Sequence, residues 1–281
     1  MSSRTWRLRD RSLDLSSPIA AGIVNVTTDS MFSGARSGTP EQAVADGLEL
    51  AAAGFEMLDV GAVAAKAGPP VGVEEEEAAL VPAVAGLVAG TDVPVSADTF
   101  SPQVAERALA AGAAVVNDIS GGGEAIFELV AASGCGYVLM HIEGPPRVNR
   151  EWRSYDDVVD HLLAWFAARV EWAGELGVAP EQIAIDPGLD FDLSPEQDLE
   201  ILRRLGELRA LELPLYVSLS RKDFIGAVLA GSWEERWPAE RREWGTVAAV
   251  TLAVRAGADV LRIHDRSSLQ AMRVAGLVLN G

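Results

Sequence analysis

Two kinds of apolar pattern alternate along this chain. Short runs with almost no polar interruption occur at Ile19 to Asn25, Phe55 to Val60, Val93 to Asp98, Ala114 to Asn117, Gly136 to His141, Gln182 to Asp186, Leu215 to Leu219 and Asp259 to His264. They are too short for helices and too continuous for half-exposed strands, so they predict strands buried on both faces. Between them the apolar spacing is helical. Val159, Leu162, Leu163, Phe166 and Val170 share one stripe. Thr39-Pro40-Glu41-Gln42 and Ser194-Pro195-Glu196-Gln197 each place a hydroxyl, a proline and a glutamine where a helix start wants them, and Ser101-Pro102 and Glu74 to Glu77 suit helix N-termini as well. Gly54, Gly112, Gly136 and Gly257 precede apolar runs and read as C-terminal helix caps. In each case the fifth residue onward is polar: Asp59, Asn117, His141 and Arg262.

Eight strand and helix alternations predict an α/β protein, a (β/α)8 TIM barrel occupying residues 1–281 as one domain. The segment from Trp6 to Leu15 reads as a short N-terminal hairpin over the barrel bottom, and Gly231 to Arg242 as an excursion before the last helix of the seventh unit.

Charge narrows the partners. Of 281 residues, 41 are acidic and 23 are Lys or Arg, a formal net charge of -18, which argues against nucleic acid and against anionic membrane surfaces. An anionic small molecule would need a local cluster of cations. Cys135 is the one cysteine, so neither an intramolecular disulfide nor a cysteine zinc site is expected. The N-terminal stretch lacks a signal peptide's apolar core, and no segment approaches the roughly 18 to 20 apolar residues of a membrane span. The expected location is the cytoplasm.

In a TIM barrel the site lies where the strands end. The run ends supply Asn25, Asp59, Asp98, Asn117, Asp118, His141, Asp186, Lys222, Arg262 and His264. Asp98, Asn117 and Asp186 suit a flat heterocycle rich in N–H donors, whose amino-pyrimidinone edge a buried carboxylate can accept through two parallel bonds. Lys222, Arg262, His264 and Lys66 form the local positive set that a phosphate or pyrophosphate requires. Asn25 is a candidate ligand for a hydrated Mg²⁺ bridging such a group, although a turn residue is the plainer reading. His141 and Cys135 read as packed structural residues.

Seven strand-end motifs resemble those of the dihydropteroate synthase family, in that family's order: NVTTDS from Asn25, SADTF from Ser96, NDISGG from Asn117, LMH from Leu139, DPGLDF from Asp186, SLSRKDFIG from Ser218 and RIHD from Arg262. The resemblance implies a barrel, usually a homodimer, that joins 6-hydroxymethyl-7,8-dihydropterin pyrophosphate to p-aminobenzoate in folate biosynthesis, with Mg²⁺. It implies that Asp98, Asn117, Asp186 and Lys222 hold the pterin, with Met140 and Phe191 along its faces. Arg262, His264 and Asn25 would handle pyrophosphate and metal, Ser220 would lie toward p-aminobenzoate, and Asp29 would close over the reacting centre. The catalytic set implied is Lys222, Arg262, Asp98 and Asp29.

The two loops of the family that close over the site are altered here. The common NVTPDSFSDGG is NVTTDSMFSGA, with Thr28 for proline and Met31 for the aromatic. The common GGESTRPG is GAVAAKAGP, so its Thr-Arg pair falls on Ala65 and Lys66, and an ammonium cannot reproduce a guanidinium's planar double donation. Asp190 and Leu193 replace a glycine and a lysine of the family's DPG motif. These changes also resemble a divergent second paralogue. Three readings follow: a synthase with a remodelled p-aminobenzoate site, a catalytically weak or inactive paralogue binding a pterin-like ligand, and a methyltetrahydrofolate-dependent methyltransferase on the same barrel. The cationic set favours a pyrophosphate substrate.

Overall fold

The computed structural model describes residues 4–26, 37–65, 68–148 and 151–280. Asp29 and Lys66, with Thr28 and Met31, lie outside the described residues.

The chain opens with a hairpin of β1 (Thr5–Arg7) and β2 (Ser12–Asp14), paired antiparallel with Trp6 opposite Leu13. Eight parallel strands follow: β3 (Ile19–Asn25), β4 (Met57–Gly61), β5 (Val95–Asp98), β6 (Val115–Asp118), β7 (Gly136–Met140), β8 (Ile183–Asp186), β9 (Tyr216–Ser218) and β10 (Val260–Ile263). Each pairs with its neighbour in sequence from β3 to β8, and β10 lies between β9 and β3. A parallel bridge between Ile185 and Leu215, with the Ile185 N–H donating to the Pro214 carbonyl at 2.9 Å, closes the ring. The predicted strands and hairpin are therefore present, and the architecture is a TIM barrel.

Helices α1 (Pro40–Ala53), α2 (Val73–Gly90), α3 (Pro102–Ala110), α4 (Glu124–Ser133), α5 (Val158–Glu175), α6 (Pro195–Arg204), α7 (Asp223–Ala230), α8 (Glu243–Arg255) and α9 (Arg266–Asn280) follow in turn. Their starts obey the capping logic of the sequence. Thr39 accepts from the Gln42 N–H at 3.2 Å, and Ser194 and Gln197 cap each other reciprocally at 3.3 and 2.8 Å. Val159, Leu162 and Phe166 are buried along the inner stripe of α5. Between α7 and α8 runs the excursion after Gly231.

Alternation along the strands sorts side chains into barrel interior and helix layer. The lower interior is apolar: Ile19, Met57, Val115, Val138, Tyr216 and Val260 pack together with Trp6, Leu8 and Leu15 of the hairpin segment. The hairpin is thus the floor of the barrel. Trp6 donates through its indole N–H to the Gln182 carbonyl at 2.7 Å, and Arg4 pairs with the buried Asp259. Gly136 corrects one expectation. The cap of α4 is Gly134, at φ 67°, while Gly136 opens β7. It is glycine for space, because a Cβ there would lie 2.6 Å from Leu8 Cδ2.

Candidate active site

The same alternation carries upward to the strand ends. Starting from Met57, Ser96, Val115, Ala184 and Val260 in the interior, two residues further on are Asp59, Asp98, Asn117, Asp186 and Arg262. Register aligns them: Asp98 pairs with Asn117 between β5 and β6, and Met140 with Asp186 between β7 and β8. One mouth of the barrel therefore collects acceptors, cations and apolar walls.

Arg262 is the hub. Its Nε donates to Asp59 Oδ2 at 2.5 Å and its Nη2 to Asp98 Oδ2 at 2.6 Å, while Asn117 Nδ2 donates to Asp59 Oδ2 at 3.0 Å. Asp59 is fully buried, so the guanidinium neutralises a charge that water cannot reach. Burial pushes the Asp98 carboxyl up to about 7 against the pull of Arg262, and the Asp59, Glu76 and Asp118 charges push the same way.

Across the mouth, burial raises Asp186 to about 6, opposed by the Lys222 charge and by the Gly188 N–H, which donates to Oδ1 at 2.9 Å. Lys222, also buried, has its pKa lowered by desolvation, partly offset by Asp190 and Asp186. Its ammonium donates to the Leu189 carbonyl at 2.8 Å and lies 4.6 Å from the Phe191 ring centre. Phe191 joins Met140, Ile119 and Ile142 in a small apolar cluster that also takes in Phe100 and Ala65. A flat slot with acceptors at its base and apolar faces is the result.

His264 departs from expectation. It was read as part of the positive set, yet burial, with Arg262 and Arg221 nearby, lowers its pKa to about 3, so the ring is neutral at physiological pH. Its Nδ1 lies 2.7 Å from Ser220 Oγ, which also accepts from the His264 N–H at 3.2 Å. The expected cluster of free cations is offset by acidic neighbours: Arg262 is paired with two carboxylates, and Lys222 bonds the Leu189 carbonyl under the influence of the Asp190 and Asp186 charges. Asp118 is corrected as well, while His141 is the packed residue that was expected. Both point outward into the helix layer, Asp118 accepting from Tyr137 Oη at 2.7 Å and His141 packing edge-on against Trp165. Asn25 ends β3, half-buried, on the interior parity of Ile19 and Ala21. Cys135 is buried and free.

Three residues beside the expected ligand set support it; Asp59 and Asp190 are conspicuous in the sequence and Arg221 is not. Asp59, one of the strand-end candidates, is the partner of both Arg262 and Asn117; a carboxylate in a largely apolar run demands a buried counter-charge. Arg221, between Ser220 and Lys222, turns away to grip Asp265 through Nε and Nη2 at 3.1 and 2.8 Å. Asp190, where the family has glycine, adopts φ 68°, which explains the glycine, and its carboxylate accepts from the Asp223 and Phe224 N–H groups to cap α7.

A TIM barrel whose mouth pairs an acceptor-lined slot with buried Lys and Arg is what a pterin-binding enzyme requires, and the sequence profile of the family described as pterin binding enzyme matches residues 21–264. The chain belongs to that family. Among its relatives, the dihydropteroate synthase of a Synechocystis strain is 37% identical over 261 residues, covering 90% of this chain and 88% of that protein. The Xanthomonas albilineans dihydropteroate synthase, solved with 4-aminobenzoic acid, superposes with a TM-score of 0.87 at 36% identity, covering 98% of this chain and 99% of that one. The same enzyme in complex with 7,8-dihydropteroate gives a TM-score of 0.82 at 36% identity over 97% and 98% of the two chains.

Proposed function

We infer that this chain is a dihydropteroate synthase, a transferase that condenses 6-hydroxymethyl-7,8-dihydropterin pyrophosphate with p-aminobenzoate to give 7,8-dihydropteroate and pyrophosphate. The observation that carries the reading is the slot itself, in which Asp98, Asn117 and Asp186 converge at one level beside Lys222, with Met140 and Phe191 as apolar faces. Asp186 accepts the amino-pyrimidinone edge of the pterin, Asn117 and Asp98 take the remaining ring polar atoms, and Lys222 donates to a ring acceptor. Arg262 stands where charge develops as the C–O bond to pyrophosphate breaks and the leaving group takes the electron pair. The amine lone pair of p-aminobenzoate then forms the C–N bond, and its proton passes to solvent or to pyrophosphate. A neutral aromatic amine needs no strong base, which suits a neutral His264 bonded to Ser220 on the p-aminobenzoate side. Lys66 and Asp29, which lie outside the described residues, are proposed to contribute from the two family loops.

Asn25, whose neutral amide oxygen suits a hard cation, would be the residue to hold Mg²⁺ at the mouth. The ion's contribution would be to neutralise the leaving group. Assembly as a homodimer is proposed through α8 and α9, which pack side by side and leave Trp244, Leu277 and Val278 each about three-quarters exposed. Light scattering of the wild type and of Leu277→Glu tests this: a monomeric wild type overturns it. Among the described residues no helix is long and apolar enough to cross a membrane. A cytoplasmic setting is supported by the buried, free Cys135.

The deciding experiment follows pyrophosphate release from the pterin diphosphate with and without p-aminobenzoate. Release that depends on p-aminobenzoate and yields dihydropteroate is the expected result. Pterin binding without product would mark a weak paralogue, and methyl transfer to a corrinoid would mark the methyltransferase.

A further inference from the structure

On the outer side of the barrel, behind the pterin wall, three groups converge that the reaction does not use. His141 directly follows β7 and points outward, Glu143 comes next in the loop, and His161 comes from the first turn of α5. His141 Nε2 lies 3.2 Å from His161 Nε2, and His161 Nε2 lies 3.1 Å from Glu143 Oε1; the three ligand atoms all fall within 4.8 Å of one another. Among the described residues this is the one such grouping of His, Cys, Asp and Glu.

The protonation states make the arrangement awkward without a cation. If His161 Nε2 carries its hydrogen, that hydrogen must serve both the Glu143 carboxylate and the His141 ring. If it does not, its lone pair faces a carboxylate oxygen. A metal ion accepts all three lone pairs. Ligands about 2.0 to 2.2 Å from a tetrahedral centre stand roughly 3.3 Å apart, close to two of the observed separations. No protein group bonds to the buried Nδ1 of His141, so nothing fixes its tautomer against offering Nε2. His161 and Glu143 are each about a quarter exposed, which gives an ion an entry path and leaves room for water as a further ligand.

We propose that His141, Glu143 and His161 form a binding site for a borderline transition-metal cation of the Zn²⁺ type, separate from the Mg²⁺ of the reaction. Two imidazoles and one carboxylate select such an ion over Mg²⁺, which prefers oxygen. The site acts as a clamp. It ties the loop after β7 to α5 directly behind the slot, where the His141 N–H donates to the Asp186 carbonyl at 2.8 Å and Met140 is the preceding residue.

The test uses the full chain, with any affinity tag removed, stripped of metal and titrated with Zn²⁺ by calorimetry and with Co²⁺ by visible absorption. One equivalent should bind, giving the intense d–d bands of a four- or five-coordinate ion, and Zn²⁺ should raise Tm. His161→Gln and Glu143→Gln, on partly exposed side chains, should each weaken binding at least tenfold and remove the Tm shift, while excess Mg²⁺ should leave the Co²⁺ spectrum unchanged. Absence of stoichiometric binding, wild-type affinity in His161→Gln, or displacement of Co²⁺ by Mg²⁺ would each overturn the proposal.

Discussion

Affinity for a pterin should rise steeply with pH, because the two carboxylates assigned to its edges are held protonated by their own burial. Asp186 stands at about 6 and Asp98 at about 7, so at pH 5 they are ionised to about 10% and about 1%, and at pH 8 both are almost wholly ionised. A pterin that offers N–H donors selects the ionised forms. If both are required, binding at pH 5 is about a thousandfold weaker than at pH 8, about 4 kcal/mol; if Asp186 alone is required, about tenfold weaker. Calorimetry from pH 5 to 8 with a pterin lacking the pyrophosphate keeps phosphate ionisation out of the measurement. Asp98→Asn should reduce the slope to the Asp186 contribution, and Asp186→Asn should abolish measurable binding, since an amide can accept only one of two parallel donations. The same raised values act oppositely on the fold. Unfolded carboxylates near 3.8 lose their protons first, so this share of stability is complete below about pH 4 and is lost as pH rises through 6 to 7. Affinity that stays level between pH 5 and 8, or improves toward acid, would refute the assignment of both residues.

Arg262→Ala should lower the unfolding free energy by about 3–5 kcal/mol in urea titrations, because it strands the fully buried Asp59, and Asp59→Asn in the same chain should recover part of the loss; unchanged stability would disprove the pairing. Gly188→Ala places a Cβ 2.1 Å from the His141 carbonyl oxygen at φ 73° and should cost at least tenfold in pterin affinity with far-UV circular dichroism preserved. Gly231→Ala has the same φ and open space around it, so affinity should hold while stability falls by about 1 kcal/mol. Ser194→Ala removes a reciprocal cap and should cost about 1 kcal/mol in thermal or urea unfolding, with no change in pterin affinity.

Strands, hairpin and helix starts were legible because each has a local cause: an apolar run, a cap, a proline at the first turn. The inward-facing residues at the strand ends were legible for a related reason, since polarity at the end of a buried run is conspicuous. Which way those residues face was not. Asp118 carries the same signal as Asn117, but one residue of parity sends it to the helix layer, where His141 also packs. Ionisation state was equally out of reach. His264 loses its charge through burial, and Arg262 is paired with carboxylates distant in sequence, 203 residues in the case of Asp59. Asp190 looked like a lost glycine; only its positive φ and its place beneath α7 show that the carboxylate has been put to use as a cap.

The hairpin floor has a consequence for how the chain is made. Trp6 is fastened to Gln182 and Arg4 to Asp259, partners separated by 176 and 255 residues. Residues that leave the ribosome early must therefore wait, with the indole exposed, until the sixth and eighth strands of the barrel sequence have followed them. A nascent chain arrested before Asp259 would carry an unsealed barrel and a loose hairpin, so the last βα unit acts as the latch for the first segment synthesised.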